Sequence, residues 1–332
     1  MAIRVAINGF GRIGRQILSA GIRDRRLKFI AINDLSDAKT LAHLLRHDTT
    51  HGKFPGKVEA KGDMLIVNGQ KIQVFAEKDP VKLPWKTLKI DVVAECTGIF
   101  THREDCKKHM VAGAKKVLLS APAKDTVDFM VIYGVNNREY DKRKHHIISN
   151  ASCTTNCVVP VSKVLDENFG IAKAFLTTVH AYTNTQRLLD VSHKDPRRAR
   201  AAAANIIPTS TGAAKQMGEV LHALKGKSDG LSMRVPVIDG SVIDLVCVTK
   251  KPVTKEALDH AMKEASMKGL RGVLQYSEEP LVSSDIIHNP HSAIYDAGAT
   301  MVLDRNFIKV IAWYDNEWGF SCRMVDVLKM MF

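Results

Sequence analysis

One cysteine stands where a helix start favours a nucleophilic thiolate. Cys153 follows Ser149-Asn150-Ala151-Ser152 and precedes Thr154-Thr155, and a helical spacing of apolar residues begins just after it (Val158, Val161, Val164, Leu165). The partial positive charge of a helix N-terminus stabilises a thiolate. The neighbouring hydroxyls and free backbone N–H groups can hold an oxyanion or a phosphate. Although most free cysteines are core residues, these flanking residues favour catalysis.

A thiolate nucleophile works with a neighbouring imidazole that lowers its pKa and moves the substrate's proton. His180 ends a predicted strand, Phe175 to Val179, at the entrance to the polar segment 181–185. Strand ends are common positions for functional residues, so His180 is the candidate base. Other histidines, including His109, lie in polar or basic stretches and are expected to be solvated.

A glycine-rich loop follows the first predicted strand, Ile3 to Asn8. Its sequence is Gly9-Phe10-Gly11-Arg12-Ile13-Gly14, and a helix opens there. In this motif the first glycine permits a tight turn, the second lets a pyrophosphate approach the backbone, and the third lets helix and strand pack closely. Asp34, at the end of the second predicted strand, can accept both ribose hydroxyls of adenosine and repel a 2′-phosphate. The pattern predicts a dinucleotide site that favours NAD over NADP.

Two patterns of secondary structure divide the chain near residue 150. From residue 2 to 119, β-branched runs alternate with helix-like stretches, as in a parallel α/β sheet. Within this part, Asn68-Gly69-Gln70 predicts a hairpin turn, and Thr101 with Glu104 has the spacing of a capping box. After 150, longer strand-like runs mostly lack helices between them, which favours a mixed, largely antiparallel sheet backed by helices.

The predicted fold class is therefore α/β, with a Rossmann-type parallel sheet domain followed by an α+β catalytic domain. We expect an NAD-binding domain over 1–150 and a catalytic domain over 151–315. The apolar spacing from Phe320 to Met331 predicts a last amphipathic helix, within 316–332, that completes the first domain.

The composition is that of an ordinary folded protein. The 332 residues are 45% hydrophobic and 25% charged, which argues against disordered and low-complexity classes. No run of eighteen apolar residues and no signal-peptide pattern occurs, so we expect a cytoplasmic protein without a membrane partner. The net charge of +13 favours anionic partners, which could be small phosphorylated substrates or nucleic acid.

Two clusters have a less specific interpretation. The basic run from Lys194 to Arg200 is expected to be a subunit-interface loop, with nucleic acid only as a secondary partner. His43, His47 and His51 recur at helical spacing but have no evident carboxylate or cysteine partner, so no metal site is expected. The six cysteines form no C-x-x-C pair, which favours free thiols.

The motifs, in their order, resemble those of one family along the whole chain, the phosphorylating glyceraldehyde-3-phosphate dehydrogenases. The resemblance is carried by seven segments: Ile7 to Arg15, Asn33 to Leu35, His47 to Gly52, Glu95 to Gly98, Ala151 to Cys157, Ile207 to Lys215 and Trp313 to Gly319. It implies a homotetramer of central carbon metabolism that converts D-glyceraldehyde 3-phosphate, NAD and inorganic phosphate to 1,3-bisphosphoglycerate. Cys153 would form a thiohemiacetal and then a thioester, with His180 as the acid/base.

The resemblance also implies three sets of binding residues. The substrate's own phosphate would be held by Thr183 and Arg234. The attacking phosphate would be held by Ser152, Thr154, Arg198, Thr211 and Gly212. The cofactor would be held by the glycine loop and by residues at the pyrophosphate, the ribose, the two ends of the dinucleotide and the carboxamide: Gly9, Gly11, Gly14, Arg12, Ile13, Asp34, Lys78, Ser120 and Asn316.

Three positions depart from the pattern of strictly NAD-dependent members. Ser192, after Val191, is typical of members that accept NADP, whereas Asp34-Leu35 is the NAD type, so NAD with some use of NADP is expected. Thr185 stands where many bacterial members have Asp, and catalysis is expected to survive this change. Phe320 replaces a Tyr near the nicotinamide.

Two alternatives stay open at this point. One is erythrose-4-phosphate dehydrogenase, which has the same fold and thiol but hydrolyses the thioester. The other is a polyanion-binding or thiol-sensing protein with a vestigial site.

Overall fold

The computed structural model describes residues 1–332, which form seven α-helices and nineteen β-strands. The helices are α1 (Arg12–Gly21), α2 (Ala38–Arg46), α3 (Arg103–Val111), α4 (Cys153–Phe169), α5 (Ala213–Val220), α6 (Lys255–Met267) and α7 (Trp318–Met330). The chain divides into two compact units. The first consists of Met1–Val131, Arg138–Ser152 and Ser321–Phe332, and the second of Ile132–Asn137 and Cys153–Phe320.

A nine-stranded sheet forms the frame of the first unit. Its strands are β1 (Ile3–Asn8), β2 (Leu27–Asn33), β5 (Val58–Lys61), β6 (Met64–Val67), β7 (Gln70–Phe75), β8 (Val92–Glu95), β9 (Lys116–Leu119), β10 (Phe129–Met130) and β11 (Ile147–Ser149), in the order β10-β11-β9-β8-β1-β2-β7-β6-β5. The six pairs from β10 to β7 are parallel, and β5, β6 and β7 pair antiparallel. A separate ribbon pairs β3 (His47–Asp48) with β4 (Gly52–Lys53).

The central strands of this sheet are short apolar runs because both of their faces are covered. All four residues of β8 and of β9 are buried. The predicted hairpin forms between β6 and β7, with Asn68 and Gly69 at φ angles of 50° and 82°. Positive φ at both central residues is typical of a type I′ turn.

The second unit is built on an eight-stranded mixed sheet. Its strands are β12 (Ile171–Ala181), β13 (Ile207–Ser210), β14 (Ser228–Val235), β15 (Ser241–Thr249), β16 (Leu274–Ser277), β17 (Ala293–Asp296), β18 (Met301–Leu303) and β19 (Phe307–Tyr314). They follow the order β13-β14-β12-β15-β19-β17-β16, with β18 beside β19. Only β12–β14 and β16–β17 pair in parallel, and α4 packs on β12, β15, β17 and β19. The predicted α/β fold class, with a parallel sheet and a largely antiparallel sheet, is confirmed.

Two local predictions are wrong. The start of α3 has no capping box, since the N-cap residue is His102 and the carboxylate of Asp125 accepts the first helical N–H, from Arg103, at 2.7 Å. Thr101 is buried instead of facing the helix start. His109, expected to be solvated, is completely buried because α3 turns this polar residue toward Trp85 and Glu95.

The last helical residues group with the first unit. Lys329 Nζ lies 3.7 Å from the carboxylate of Asp24, and the hydroxyl of Tyr140 donates to the Met331 carbonyl at 3.3 Å. None of the helices combines the length and the apolar character that crossing a lipid bilayer requires.

Candidate functional site

A strained turn delivers Cys153 to the first position of α4. Ala151, two residues earlier, has a φ of 54° although it is not a glycine. The Ser149 hydroxyl accepts the Ala151 N–H at 3.0 Å and donates to the Ala121 carbonyl at 2.8 Å, which holds this turn in place. Backbone in this region costs about 1–3 kcal/mol and persists where the surroundings enforce it. The turn therefore fixes where the thiol stands relative to the helix start.

His180 meets this thiol from the end of β12. The Cys153 Sγ and the His180 Nε2 are 3.3 Å apart, within the distance of a hydrogen bond that involves sulfur. On the other side of the ring, Nδ1 lies 2.6 Å from the Ala181 carbonyl oxygen. A carbonyl only accepts, so it suits a proton on Nδ1, whereas Arg234 Nη1, which only donates, lies 2.8 Å from the same nitrogen. The tautomer with the proton on Nδ1 is the one in which the Nε2 lone pair can take the thiol proton.

Arg234 supplies a positive charge beside this pair. It stands opposite His180 in the β12–β14 register, and its Nη1 lies 2.8 Å from His180 Nδ1 and 2.9 Å from the Ala181 oxygen. Burial raises the pKa of Cys153 to about 11, while the Arg234 charge and hydrogen bonds from Thr154 act in the opposite direction. Burial and the Arg234 charge lower the pKa of His180 to about 3.

Each of the two groups alone is therefore held in its neutral form. Transfer of the proton from Sγ to Nε2 creates opposite charges in contact, and these stabilise each other. The pair of Cys153 and His180 thus titrates together, either as thiol and imidazole or as thiolate and imidazolium.

Tyr314 locks the elements that carry the pair, and the sequence analysis assigned it no role. Its hydroxyl lies 2.9 Å from the Thr154 Oγ1 of α4 and 2.8 Å from the Thr178 Oγ1 of β12. Its ring contacts the ring of His180 edge-on, with 5.8 Å between the centroids. The residue falls inside the motif from Trp313 to Gly319, but no spacing rule predicts a contact between positions so far apart in sequence.

The predicted phosphate-binding residues of the second unit lie at the start of α4, on β14, in the loop after β12 and just before α5. Burial lowers the pKa of Arg234, and the positive charge of Arg198 contributes in the same direction. Arg198 Nε donates to the Thr209 hydroxyl at 2.7 Å. Two guanidinium groups that repel each other in a partly buried site favour an anion between them.

The remaining residues of this set are more open. Gly212 caps the N-terminus of α5, and an added Cβ there would meet no atom within 4 Å. The Thr211 hydroxyl accepts the Ala213 N–H at 3.2 Å, and the Thr183 hydroxyl lies 3.0 Å from that of Thr185. Ser152 is half-exposed, whereas the Thr154 hydroxyl is buried against Tyr314, so Thr154 offers an anion chiefly its backbone N–H.

The three glycines of the glycine-rich motif, two before α1 and Gly14 within its first turn, have different structural roles. Gly9 has a φ of 89°, and a Cβ there would lie 2.7 Å from the Thr97 nitrogen. A Cβ on Gly14 would lie 2.2 Å from the Gly9 oxygen. A Cβ on Gly11 would meet nothing within 4 Å. The fold therefore requires Gly9 and Gly14, while Gly11 leaves open space in front of the helix N-terminus.

The other predicted cofactor residues of the first unit surround this loop. The Asp34 carboxylate accepts the N–H groups of Phe10 and Ser36 at 2.8 and 2.9 Å, so it ties the glycine loop to the end of β2. Arg12, the first residue of α1, pairs with the carboxylate of Asp48. Of the remaining three, Ile13 and Ser120 are half-exposed and Lys78 is exposed.

Asn316, the predicted carboxamide ligand, is fixed within the second unit. Its Oδ1 accepts the Ser241 hydroxyl at 2.6 Å, and the Asp315 carboxylate accepts the N–H groups of Glu317 and Trp318. Burial and the nearby charge of Asp315 raise the pKa of Asp239 to about 9. A proton between these two carboxyl groups therefore stabilises the turn that carries Asn316 at neutral pH.

Comparison with known proteins agrees with this geometry. Residues 3–103 match the model of the glyceraldehyde 3-phosphate dehydrogenase NAD binding domain, and residues 152–316 match that of the C-terminal domain. The chain belongs to the glyceraldehyde-3-phosphate dehydrogenase family. The resemblance seen in the motifs is thus confirmed. Because residues 3–103 match the family's NAD binding domain, NAD is the cofactor.

Several bacterial relatives match over nearly their whole length. The chain is 54% identical to glyceraldehyde-3-phosphate dehydrogenase 2 of Streptomyces avermitilis, over 98% of each protein. It is also 54% identical to the glyceraldehyde-3-phosphate dehydrogenase of Geobacillus stearothermophilus, over 98% of this chain and 97% of that protein. With glyceraldehyde-3-phosphate dehydrogenase 1 of Bacillus subtilis the identity is 53% over the same shares.

The loop glycines allow a matched pair of variants. Gly11→Ala should leave the free energy of unfolding within about 1 kcal/mol of the wild type, because its Cβ meets open space. It should nevertheless weaken NAD binding, which isothermal titration calorimetry measures. Gly14→Ala should lower the free energy of unfolding by about 1–3 kcal/mol, because the helix must move away from the Gly9 oxygen. Equal losses of stability in the two variants would contradict this division of roles.

Proposed function

We propose that this protein catalyses the NAD-dependent oxidation of D-glyceraldehyde 3-phosphate, coupled to inorganic phosphate, to give 1,3-bisphosphoglycerate. The observation that supports this most directly is the 3.3 Å contact between the Cys153 thiol and His180 Nε2, with Arg234 beside it. Cys153 is the nucleophile and His180 the acid/base. This chemistry serves glycolysis and, in reverse, gluconeogenesis.

The reaction begins when His180 Nε2 takes the thiol proton and the Cys153 thiolate attacks the aldehyde carbon. The carbonyl oxygen becomes a hydroxyl by accepting that proton, which gives a thiohemiacetal. His180 then removes the hydroxyl proton as hydride leaves the same carbon. NAD, when bound, accepts the hydride. The product on Cys153 is a thioester.

Inorganic phosphate then attacks the thioester carbon, and Sγ leaves as a thiolate. The site needs two anion positions near one thiol for this step. We assign Thr183 and Arg234 to the substrate's phosphate, and the attacking phosphate to Ser152, Thr154, Arg198, Thr211 and Gly212. Forked guanidinium donors and N–H groups at helix starts suit phosphate oxygens.

For the cofactor we propose that the backbone of the loop at Gly9, Gly11 and Gly14 holds the pyrophosphate together with Arg12 and Ile13. Asp34 is assigned to the adenosine ribose and Asn316 to the carboxamide, with Lys78 and Ser120 at the adenosine and nicotinamide sides. We retain 1–150, with helix 316–332, as the NAD-binding domain and 151–315 as the catalytic domain.

The activity is tested by following nicotinamide reduction in purified protein with glyceraldehyde 3-phosphate. NAD and NADP are compared, each with and without inorganic phosphate. Turnover should require phosphate and be faster with NAD, because the Asp34 carboxylate repels a 2′-phosphate. Cys153→Ser should abolish turnover while the variant still binds NAD.

The same assay is repeated with erythrose 4-phosphate as substrate, and two outcomes would contradict the proposal. Turnover of erythrose 4-phosphate without any phosphate requirement would identify a thioester-hydrolysing dehydrogenase instead. No turnover in any arm would favour a polyanion-binding or thiol-sensing protein.

His180→Asn tests the coupled titration of the pair. Without the imidazole no thiolate–imidazolium form exists, so the pH midpoint of Cys153 alkylation should move upward. Hydride transfer should slow by about 10²–10⁴-fold, the usual contribution of a general base. Stopped-flow reduction of NAD and the rate of iodoacetamide alkylation against pH measure the two effects. An unchanged alkylation profile would assign the activation of the thiol to Arg234 and the helix start alone.

We further propose a cytoplasmic homotetramer. The segment after β12 exposes Leu188, Leu189 and Ile206 by 81%, 75% and 69%, and Phe175 on β12 is 70% exposed. Large apolar side chains exposed to this extent occur at protein interfaces, and a second copy of the chain is the partner that the family resemblance implies. The segment 181–205 would then contact the cofactor site of a neighbouring subunit.

The oligomer is tested by sedimentation velocity. The wild type should sediment as a tetramer, and the double variant Leu188→Asp/Leu189→Asp should dissociate, because the interface would bury two new charges. Met267→Asp is the matched control, since Met267 is 61% exposed at the end of α6. A monomeric wild type, or dissociation of the control alone, would contradict the proposal.

A further inference from the structure

A continuous chain of buried hydrogen bonds crosses the carboxyl ends of β8, β1 and β2. The indole Nε1 of Trp85 donates to His109 Nδ1 at 3.1 Å, and His109 Nε2 lies 3.0 Å from Glu95 Oε2. The same carboxylate oxygen accepts the side-chain amide of Asn8 at 2.6 Å. Asn8 Oδ1 in turn accepts the amide of Asn33 at 2.7 Å.

The donors and acceptors in this chain can be assigned from chemistry alone. An indole nitrogen only donates, so His109 Nδ1 must accept and the ring proton must stand on Nε2. Nε2 therefore donates to Glu95, whose other oxygen accepts the N–H and the hydroxyl of Thr97 at 2.8 and 2.5 Å. The Glu95 carboxylate thus collects four donors although the residue is only 2% exposed.

The chain reaches each loop to which the cofactor residues of the first unit belong. Asn8 immediately precedes the glycine loop, and Asn33 precedes Asp34 and exchanges hydrogen bonds with the backbone of Glu77, next to Lys78. The Glu95 carbonyl accepts the Ser120 N–H at 3.0 Å. The Thr97 that Glu95 holds is the residue against which Gly9 packs, since a Cβ on Gly9 would lie 2.7 Å from the Thr97 nitrogen.

We propose that Glu95 is a positioning residue of the cofactor site, acting through Asn8, Asn33 and Thr97 to fix the spacing of the cofactor loops. The inference rests on the proposed assignment of those loops to NAD. A buried carboxylate suits this role because it accepts in several directions at once and donates in none. Its negative charge also strengthens each of the four bonds.

Glu95→Gln is the decisive variant because it keeps the shape and removes this acceptor pattern. The new amide nitrogen would face donors from Asn8 and His109, so at least one buried donor loses its partner. The free-energy penalty of an unpaired buried donor corresponds to about a tenfold or larger change in an equilibrium constant. We expect the Kd and KM for NAD to rise by about tenfold or more, while kcat at saturating NAD changes much less.

Two readouts separate positioning from general damage. The alkylation rate of Cys153 in the absence of NAD should stay at the wild-type value, because the thiol belongs to the second unit. The double variant Glu95→Gln/Asn8→Asp returns a carboxylate to the chain at position 8, where the new amide and Asn33 can both donate to it. This variant should recover part of the lost NAD affinity.

Tyr140→Phe is the matched control in the same unit. Its hydroxyl accepts a hydrogen bond from the partly buried Lys116 Nζ at 2.6 Å, at the start of β9 rather than at the carboxyl ends of the strands. It should lower stability without changing the Kd for NAD. Should Glu95→Gln fail to fold, Trp85→Phe breaks the chain at its other end without touching a cofactor loop, and should also weaken NAD binding.

The outcomes distinguish the two levels of the argument. An unchanged Kd for NAD in the folded Glu95→Gln protein, or in Trp85→Phe when that variant replaces it, would overturn the positioning role and leave the proposed function intact. A weakened Kd that Tyr140→Phe reproduces equally would also overturn it. Failure of the wild type itself to bind NAD would instead overturn the proposed function.

Discussion

The contact between Cys153 and His180 depends on how two elements of the second unit, α4 and β12, are placed against each other. The first residue of α4 and the last turn of β12 must meet within 3.3 Å between sulfur and nitrogen. Tyr314, at the end of β19, joins both by bonding Thr154 and Thr178 through one hydroxyl. Because α4 packs across β12, β15 and β19, a shift of the helix along the sheet would break the Tyr314 bridge and the thiol contact together. The packing of α4 on the sheet therefore sets the distance between the Cys153 sulfur and the His180 nitrogen.

Arg234 gives this site its electrostatic character. Its charge opposes an imidazolium on His180 and favours a thiolate on Cys153, so it works against one half of the ion pair and for the other. An anion bound to Arg234 would weaken the first effect. Proton transfer from thiol to imidazole is therefore easier when a phosphate group is present than when the site is empty of anions. A substrate that carries its own phosphate supplies this condition as it binds.

The sequence predicted those features that follow from local pattern. The glycine loop, the hairpin at Asn68-Gly69 and the helix that starts at Cys153 each depend on a few neighbouring residues with fixed conformational preferences. The contacts of Tyr314 with Thr154 and Thr178 could not be predicted, since they join positions that only the mixed sheet brings together. The burial of His109 was missed for a similar reason. A polar residue in a polar helix is expected to be solvated, and its buried partner Glu95 lies on a strand that the helix sequence does not reveal.

Both units place their chemistry at a strand-to-helix turn, but they stabilise the turn differently. Between β1 and α1 the chain uses glycine, because Gly9 has a φ of 89° and Gly14 packs on the Gly9 oxygen. Before α4 it uses Ala151 at a φ of 54°, held by Ser149. Under the proposed cofactor assignment, the first turn stays bare so that a pyrophosphate can approach the backbone at Gly11. The second must carry a side chain at Cys153 in one defined position, so strain in the preceding residue, enforced by a buried hydroxyl, replaces the freedom that glycine would give.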